Sequence, residues 1–227
     1  MPQETFTAQQ QTYWNDDVQR KRRDPRGPVI AAYTQPKIRY ILEHIRLPAE
    51  ATILDVGAGN GYFSYEWDRH APTTAVDSSP VILEQNPIER KFVMDARSMA
   101  FSDATFDLVF CHALLHHVDA HDRLQVVREM ARVSKRYVVY IEPNIWNPVI
   151  AGFSTVKREE RGALRFTPHY VRSLTIAANL RIIASCSWGL LTPNRMPLAT
   201  ILSPFFRLFE RPFPLGVTTI VIAEKKL

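Results

Sequence analysis

Cysteine is nearly absent. Cys111 and Cys186 are the only two in 227 residues. A disulfide-stapled scaffold is therefore excluded, and a reducing compartment, the cytoplasm, is expected. Long apolar runs are missing too. No stretch approaches the roughly 18 residues that a bilayer-crossing helix needs. The start, Met1 to Gln11, is polar, so no secretory signal is expected. Neither sign of charge dominates: 28 Lys and Arg against 23 Asp and Glu leave +5, which suits an anionic partner without requiring one. Glycine is scarce, with eight in all, yet three fall at positions 57, 59 and 61. The remainder is an ordinary globular balance, 46% hydrophobic and 22% charged, at a length that fits one domain.

The residues between 35 and 143 alternate short apolar runs with helical patterns. Ile38, Ile41, Leu42 and Ile45 recur at the spacing of one helix face, and Pro48 stops that helix. Ala51 to Val56 reads as a buried strand, followed by a helix from about Asn60 to Arg69. Thr73–Asp77, Lys91–Asp95, Phe106–Cys111 and Tyr137–Ile141 read as four more strands. Ser79 caps a helix that has Pro80 at its first position, and Asp119 is the expected cap of a helix carrying Leu124, Val127 and Ala131. A helix over Pro168–Leu180 and strands at Arg181–Trp188 and Val217–Glu224 complete the pattern. Strands alternating with helices predict an α/β fold: a doubly wound, mainly parallel seven-stranded sheet with helices on both faces. Ligands of such sheets sit at the carboxyl ends of the strands.

The first strand ends Asp55-Val56-Gly57-Ala58-Gly59-Asn60-Gly61. A dinucleotide turn would need glycine at 62, where Tyr62 stands, which argues against a nicotinamide-dependent oxidoreductase. The second strand ends on Asp77 and the third on Asp95-Ala96, and Phe106-Asp107-Leu108-Val109 enters the fourth. With these positions the sequence resembles the class I S-adenosylmethionine-dependent methyltransferases, in their small-molecule and quinone-biosynthesis-type branches. The resemblance covers about residues 35–143. It implies S-adenosyl-L-methionine as cofactor and S-adenosyl-L-homocysteine as product. It also implies a cofactor site built from Asp55, Gly57, Ala58, Gly59, Gly61, Asp77, Ser78, Asp95, Ala96, Cys111 and His112. Asp77 would hold the ribose hydroxyls and Asp95 would lie near the adenine amine.

Methyl transfer is an in-line displacement at the sulfonium methyl, and an oxygen nucleophile gains from a base that takes its proton. His116 and His117 are the expected catalytic residues. His112/His116 and His117/His121 are each spaced four apart, but their helical phases differ, so no metal site is expected. The fourth strand is not followed by the Asp/Asn-Pro-Pro-aromatic motif of base and amide methylation, and His112 stands where metal-dependent catechol-type enzymes have a carboxylate.

Residues 1–34 are expected to form an arm or lid, and 35–227 the cofactor-binding domain, with 144–167 and 189–214 as substrate-side insertions. Tyr13, Trp14, Tyr33, Trp146, Arg165 and His169 are the candidate substrate contacts. The basic run Arg20, Lys21, Arg22, Arg23 and Arg26 admits RNA methylation as an alternative, without an aromatic platform to favour it. A noncatalytic cofactor-binding relative is the other alternative. Met196 to Phe209, rich in leucine and phenylalanine around Pro204, is expected to cover the core, with an oligomer contact or membrane-surface contact as further uses.

Overall fold

The alternating pattern resolves into one seven-stranded sheet in the computed structural model, which describes residues 6–16, 22–190, 192, 201, 204–205 and 208–226. The strands are β1 (Ile53–Val56), β2 (Thr73–Asp77), β3 (Lys91–Val93), β4 (Phe106–His112), β5 (Ser134–Pro143), β6 (Leu180–Trp188) and β7 (Thr218–Lys225), in the order β3-β2-β1-β4-β5-β7-β6. β1 to β5 pair in parallel, while β7 lies antiparallel between β5 and β6. The sheet is therefore mixed. Because β7 is reversed, its first residue, Thr218, pairs with Pro143 at the end of β5 and with Trp188 at the end of β6. One edge of the sheet thus gathers the carboxyl ends of six strands.

Alternate strand residues face opposite ways. Ile53, Leu108, Phe110 and Ile222 join one apolar cluster with Ile38, Ile41 and Trp67 of helices α2 (Pro28–His44) and α3 (Tyr62–Asp68). Their neighbours Leu54, Val109 and Val221 join a second cluster with Val126, Met130 and Val171 of α5 (Arg123–Val133) and α7 (Pro168–Ala177). Both faces are therefore covered, which is why the central strands carry apolar residues on both faces, with Asp55, Asp107 and Glu142 as polar exceptions near the strand ends.

Several boundaries differ from the sequence pattern. The division expected after residue 34 falls inside α2, which runs unbroken and buries Ile30 and Tyr33 with Ile38. The helix after β1 begins at Tyr62 because Gly61 is left-handed. Asp119 does not cap α5: its carbonyl accepts from the Asp122 N–H in a turn, and the helix starts at Arg123. Leu180 opens β6 instead of closing α7. The segment after β5 holds a helix of its own, α6 (Pro148–Val156), capped by the Asn147 side chain, and a 3-10 stretch over Arg158–Arg165. Two further helices are α1 (Phe6–Trp14) and the single turn α4 (Pro80–Leu83), capped by Ser79. Arg20, Lys21 and most of 196–209 lie outside the described residues.

Candidate functional site

The turn after β1 needs its glycines for two reasons. Gly57 and Gly61 have φ of +68° and +89°, which other residues rarely adopt. A Cβ at Gly57 would come 2.7 Å from Leu114, and one at Gly61 would come 2.5 Å from Asn86. The acidic strand ends frame this turn. Gly59 N–H donates to Asp77 at 2.8 Å and Ser79 N–H donates to its other oxygen at 2.9 Å. The Ser64 hydroxyl donates to Asp55 at 2.6 Å. Burial pushes the Asp55 carboxyl up to about 7, opposed by the Ser64 hydrogen bond and reinforced by the charge of Asp77. Burial likewise raises Asp77, against its backbone hydrogen bonds. Asp95 is held low by the Arg97 guanidinium, 2.7 Å away, which also reaches Asp122.

The histidines after β4 have distinct surroundings. His112 shares a 3.1 Å hydrogen bond with the Tyr33 hydroxyl, and burial, aided by the charge of Lys37, lowers it to about 3. His116 and His117 sit on a 3-10 turn, Leu115–His117. Glu142, near the end of β5, accepts the N–H groups of Leu114 and Leu115 on one oxygen and His116 Nδ1 at 2.8 Å on the other. His116 Nε2 lies 3.6 Å from Glu160. Burial opposes the charge on His116, but its hydrogen bond to Glu142 and the facing Glu160 carboxylate outweigh burial and lift it to about 9. His117 goes the other way: burial and the neighbouring His116 hold it well below the usual histidine value. Its Nδ1 is buried without a hydrogen-bond partner. One ligand atom each of His116, His117 and Glu160 lies within 4.8 Å of the other two. The fourfold-spaced pairs of the sequence are not the ones brought together, because these residues form a 3-10 turn.

Helix α1 lies over these groups. Gln10 donates to the Glu159 carbonyl at 2.8 Å, the Ser79 hydroxyl reaches the Trp14 carbonyl at 3.0 Å, and the Trp14 ring meets His117 edge-on at 5.1 Å. The Arg22 guanidinium stacks 4.5 Å over Trp14, and its burial lowers its pKa. Of the basic run, Arg22 therefore turns inward.

These groups share a cavity of about 520 Å³. Asp55, Gly57, Ala58, Gly59, Asp77, Ser78, Asp95, Ala96, His112, His116 and His117 line it, as do Tyr13, Trp14 and Tyr33. Five expected residues do not. Gly61 stands behind the turn against Asn86. Cys111 points into the apolar cluster beneath the sheet. Trp146, Arg165 and His169 are exposed on the outer surface, because α6 and the 3-10 stretch turn other side chains inward. The inward residues are Ile150, Phe153, Glu159 and Glu160, joined by Gln10, Arg22 and Glu142, while the exposed Lys157 borders the cavity. Glu142 had a signal, an acidic residue ending an apolar strand; Glu160 had none.

A family model described as a methyltransferase domain matches residues 54–140. That span runs from β1 into β5 and contains Asp55, Asp77 and Asp95. Over that span the chain is similar to the methyltransferase domain family. It is 28% identical to a ubiquinone biosynthesis O-methyltransferase of Xanthomonas axonopodis pv. citri, over 57% of this chain and 54% of that one. The chain spans about half the length of the curated relatives it matches. Among solved structures, a "possible histamine N-methyltransferase" of Thermotoga maritima has TM-score 0.65 at 15% identity, covering 87% of this chain and 91% of that one. A magnesium protoporphyrin IX methyltransferase of Synechocystis, with S-adenosylmethionine bound, has TM-score 0.66 at 12% identity and covers 100% of both chains.

The methyltransferase cofactor fits the residues present. S-adenosylmethionine brings a sulfonium cation, an ammonium, a ribose diol and an adenine amine as cations and donors, beside one carboxylate. The cavity wall offers Asp55, Asp77 and Asp95 to meet them. Asp77, fixed by two backbone N–H groups, keeps lone pairs for a diol, and Asp55 is a buried carboxyl with a cationic ligand as its natural counter-charge.

Proposed function

We propose that the protein transfers a methyl group from S-adenosylmethionine to a small or medium-sized organic acceptor. The observation that carries this reading is one cavity shared by the carboxylates ending β1 and β2 and the histidines after β4. When bound, the cofactor supplies an electrophilic sulfonium methyl. In this reading Asp77 and Asp95 bind its donors, and α1 closes over both ligands as a lid, excluding water. His117, kept neutral by burial, accepts the hydrogen bond of the acceptor's O–H or N–H on Nδ1 and takes that proton as the methyl arrives. His116, charged between Glu142 and Glu160, holds the turn in register and keeps His117 neutral. Tyr13, Trp14, Tyr33 and Phe153 wall the acceptor. A cytoplasmic location goes with this reading, supported by two free cysteines.

Calorimetry with S-adenosylmethionine and S-adenosylhomocysteine tests it. Both bind the wild type, and Asp77→Ala weakens them about 10- to 100-fold, the worth of hydrogen bonds to a charged group. A folded protein that binds neither ligand overturns the reading.

A further inference from the structure

Most large apolar side chains left exposed among the described residues lie in two stretches, 144–167 and 201–216. Val149 and Val156 are 71% and 80% exposed on α6, beside Trp146 at 56%. Phe205, Phe213 and Leu215 are exposed in the other stretch. Both stretches lie at the sheet edge that carries the cavity, since one follows β5 and the other leads into β7. Side chains join them: Asn144 donates to the Gly216 carbonyl at 2.9 Å and Asn147 to the Leu215 carbonyl at 2.6 Å. Ile150 and Phe153 of α6 line the cavity, so the exposed groups of α6 stand on the helix that walls it.

The exposed charges of these two stretches have one sign. Among the described residues of both stretches, every exposed charged side chain is a cation: Lys157, Arg158, Arg161, Arg165 and Arg211. The two acids of the 3-10 stretch, Glu159 and Glu160, face the cavity, and Glu210 is buried. Exposed apolar groups interleaved with cations are the chemistry of an interfacial membrane contact. A second copy of the chain fits poorly, because a twofold interface would set five cations against five. No described helix is long and apolar enough to cross a membrane.

We infer that this edge docks on an anionic phospholipid surface. The valines of α6, Trp146, Phe213 and Leu215 enter the headgroup layer, and the five cations meet lipid phosphates. The helix that walls the cavity then lies against the bilayer. The inference does not rest on the methyl-transfer reading, whose own test is cofactor binding in solution.

Flotation of the full chain with vesicles tests it. Protein floats with phosphatidylcholine vesicles containing phosphatidylglycerol, less so as salt rises, and not with phosphatidylcholine alone. Arg158→Glu with Arg161→Glu lowers partitioning at least about ten-fold, as a few-fold loss per cation requires. Val149→Ser with Phe213→Ser lowers it similarly. Circular dichroism and thermal unfolding establish that both variants fold. Absence of flotation overturns the inference, as does equal flotation on neutral vesicles or indifference to both variants. A dimer in light scattering that Val149→Ser with Phe213→Ser splits, without vesicle binding, assigns the edge to a second copy and also overturns it.

Discussion

Glu142 has its acceptor directions committed: two backbone N–H groups on one oxygen and His116 on the other. A carboxylate so held cannot turn away, so the imidazolium opposite keeps its proton to about 9 despite burial. The consequence for stability follows by linkage. A group whose folded pKa stands above its ordinary value of 6.5 contributes stability that is complete below pH 6.5 and lost as pH rises through 9. Glu142→Gln removes the counter-charge, lowers the His116 pKa, and costs on the order of 3 kcal/mol at neutral pH. Thermal unfolding across pH then loses the decline between 6.5 and 9 that the wild type shows. Imidazole NMR titration of the wild type separates the neighbours: His116 titrates near 9, and His117 stays neutral as pH falls past 6.5. A His117 that protonates at its ordinary value removes it as the neutral proton acceptor.

At the scale of elements, α1 is held differently from the rest. Tyr13 and Trp14 are half-buried, Thr12 is exposed, and Gln10 is buried, tied by one hydrogen bond to Glu159. Among the described side chains of α1 no apolar one is fully buried, and an element so held opens at low cost. Removing residues 1–16 therefore leaves the melting temperature within a few degrees, while release of S-adenosylhomocysteine, followed by stopped-flow displacement, becomes at least about ten-fold faster. A large fall in melting temperature would make α1 part of the core. The other elements were legible because each carries a local signal: the apolar runs of β1, β2, β4 and β5, Ser79-Pro80 before α4, and the glycine spacing of the first turn. Helix α6 carried such a signal in Asn147-Pro148, yet the segment reads as an insertion because its apolar residues show no single face. Trp146, Arg165 and His169 were candidates by residue type alone, and type does not fix which way a side chain turns.

At the scale of the whole molecule, contacts between residues far apart in sequence leave no periodic trace. Lys37 is fully buried in α2, donates to the Tyr33 carbonyl at 3.0 Å, and pairs with Glu210, 173 residues away. The Trp188 indole donates to the same Glu210 oxygen at 3.0 Å. Burial lowers Lys37 to about 8 and raises Glu210, each restrained by the other's charge. The pair thus fastens the chain leading into β7 to the helix whose Tyr33 holds His112, so it ties that segment to the cavity wall. A buried ion pair contributes little beyond an apolar pair of like shape, but half of one is costly. Lys37→Met alone should cost about 3–5 kcal/mol in urea unfolding, because it strands a buried carboxylate. Lys37→Met with Glu210→Gln should recover most of that loss, since glutamine still accepts from Trp188. If the two changes simply add, the side chains are not coupled, and the strut between α2 and the β7 approach must lie in backbone contacts instead.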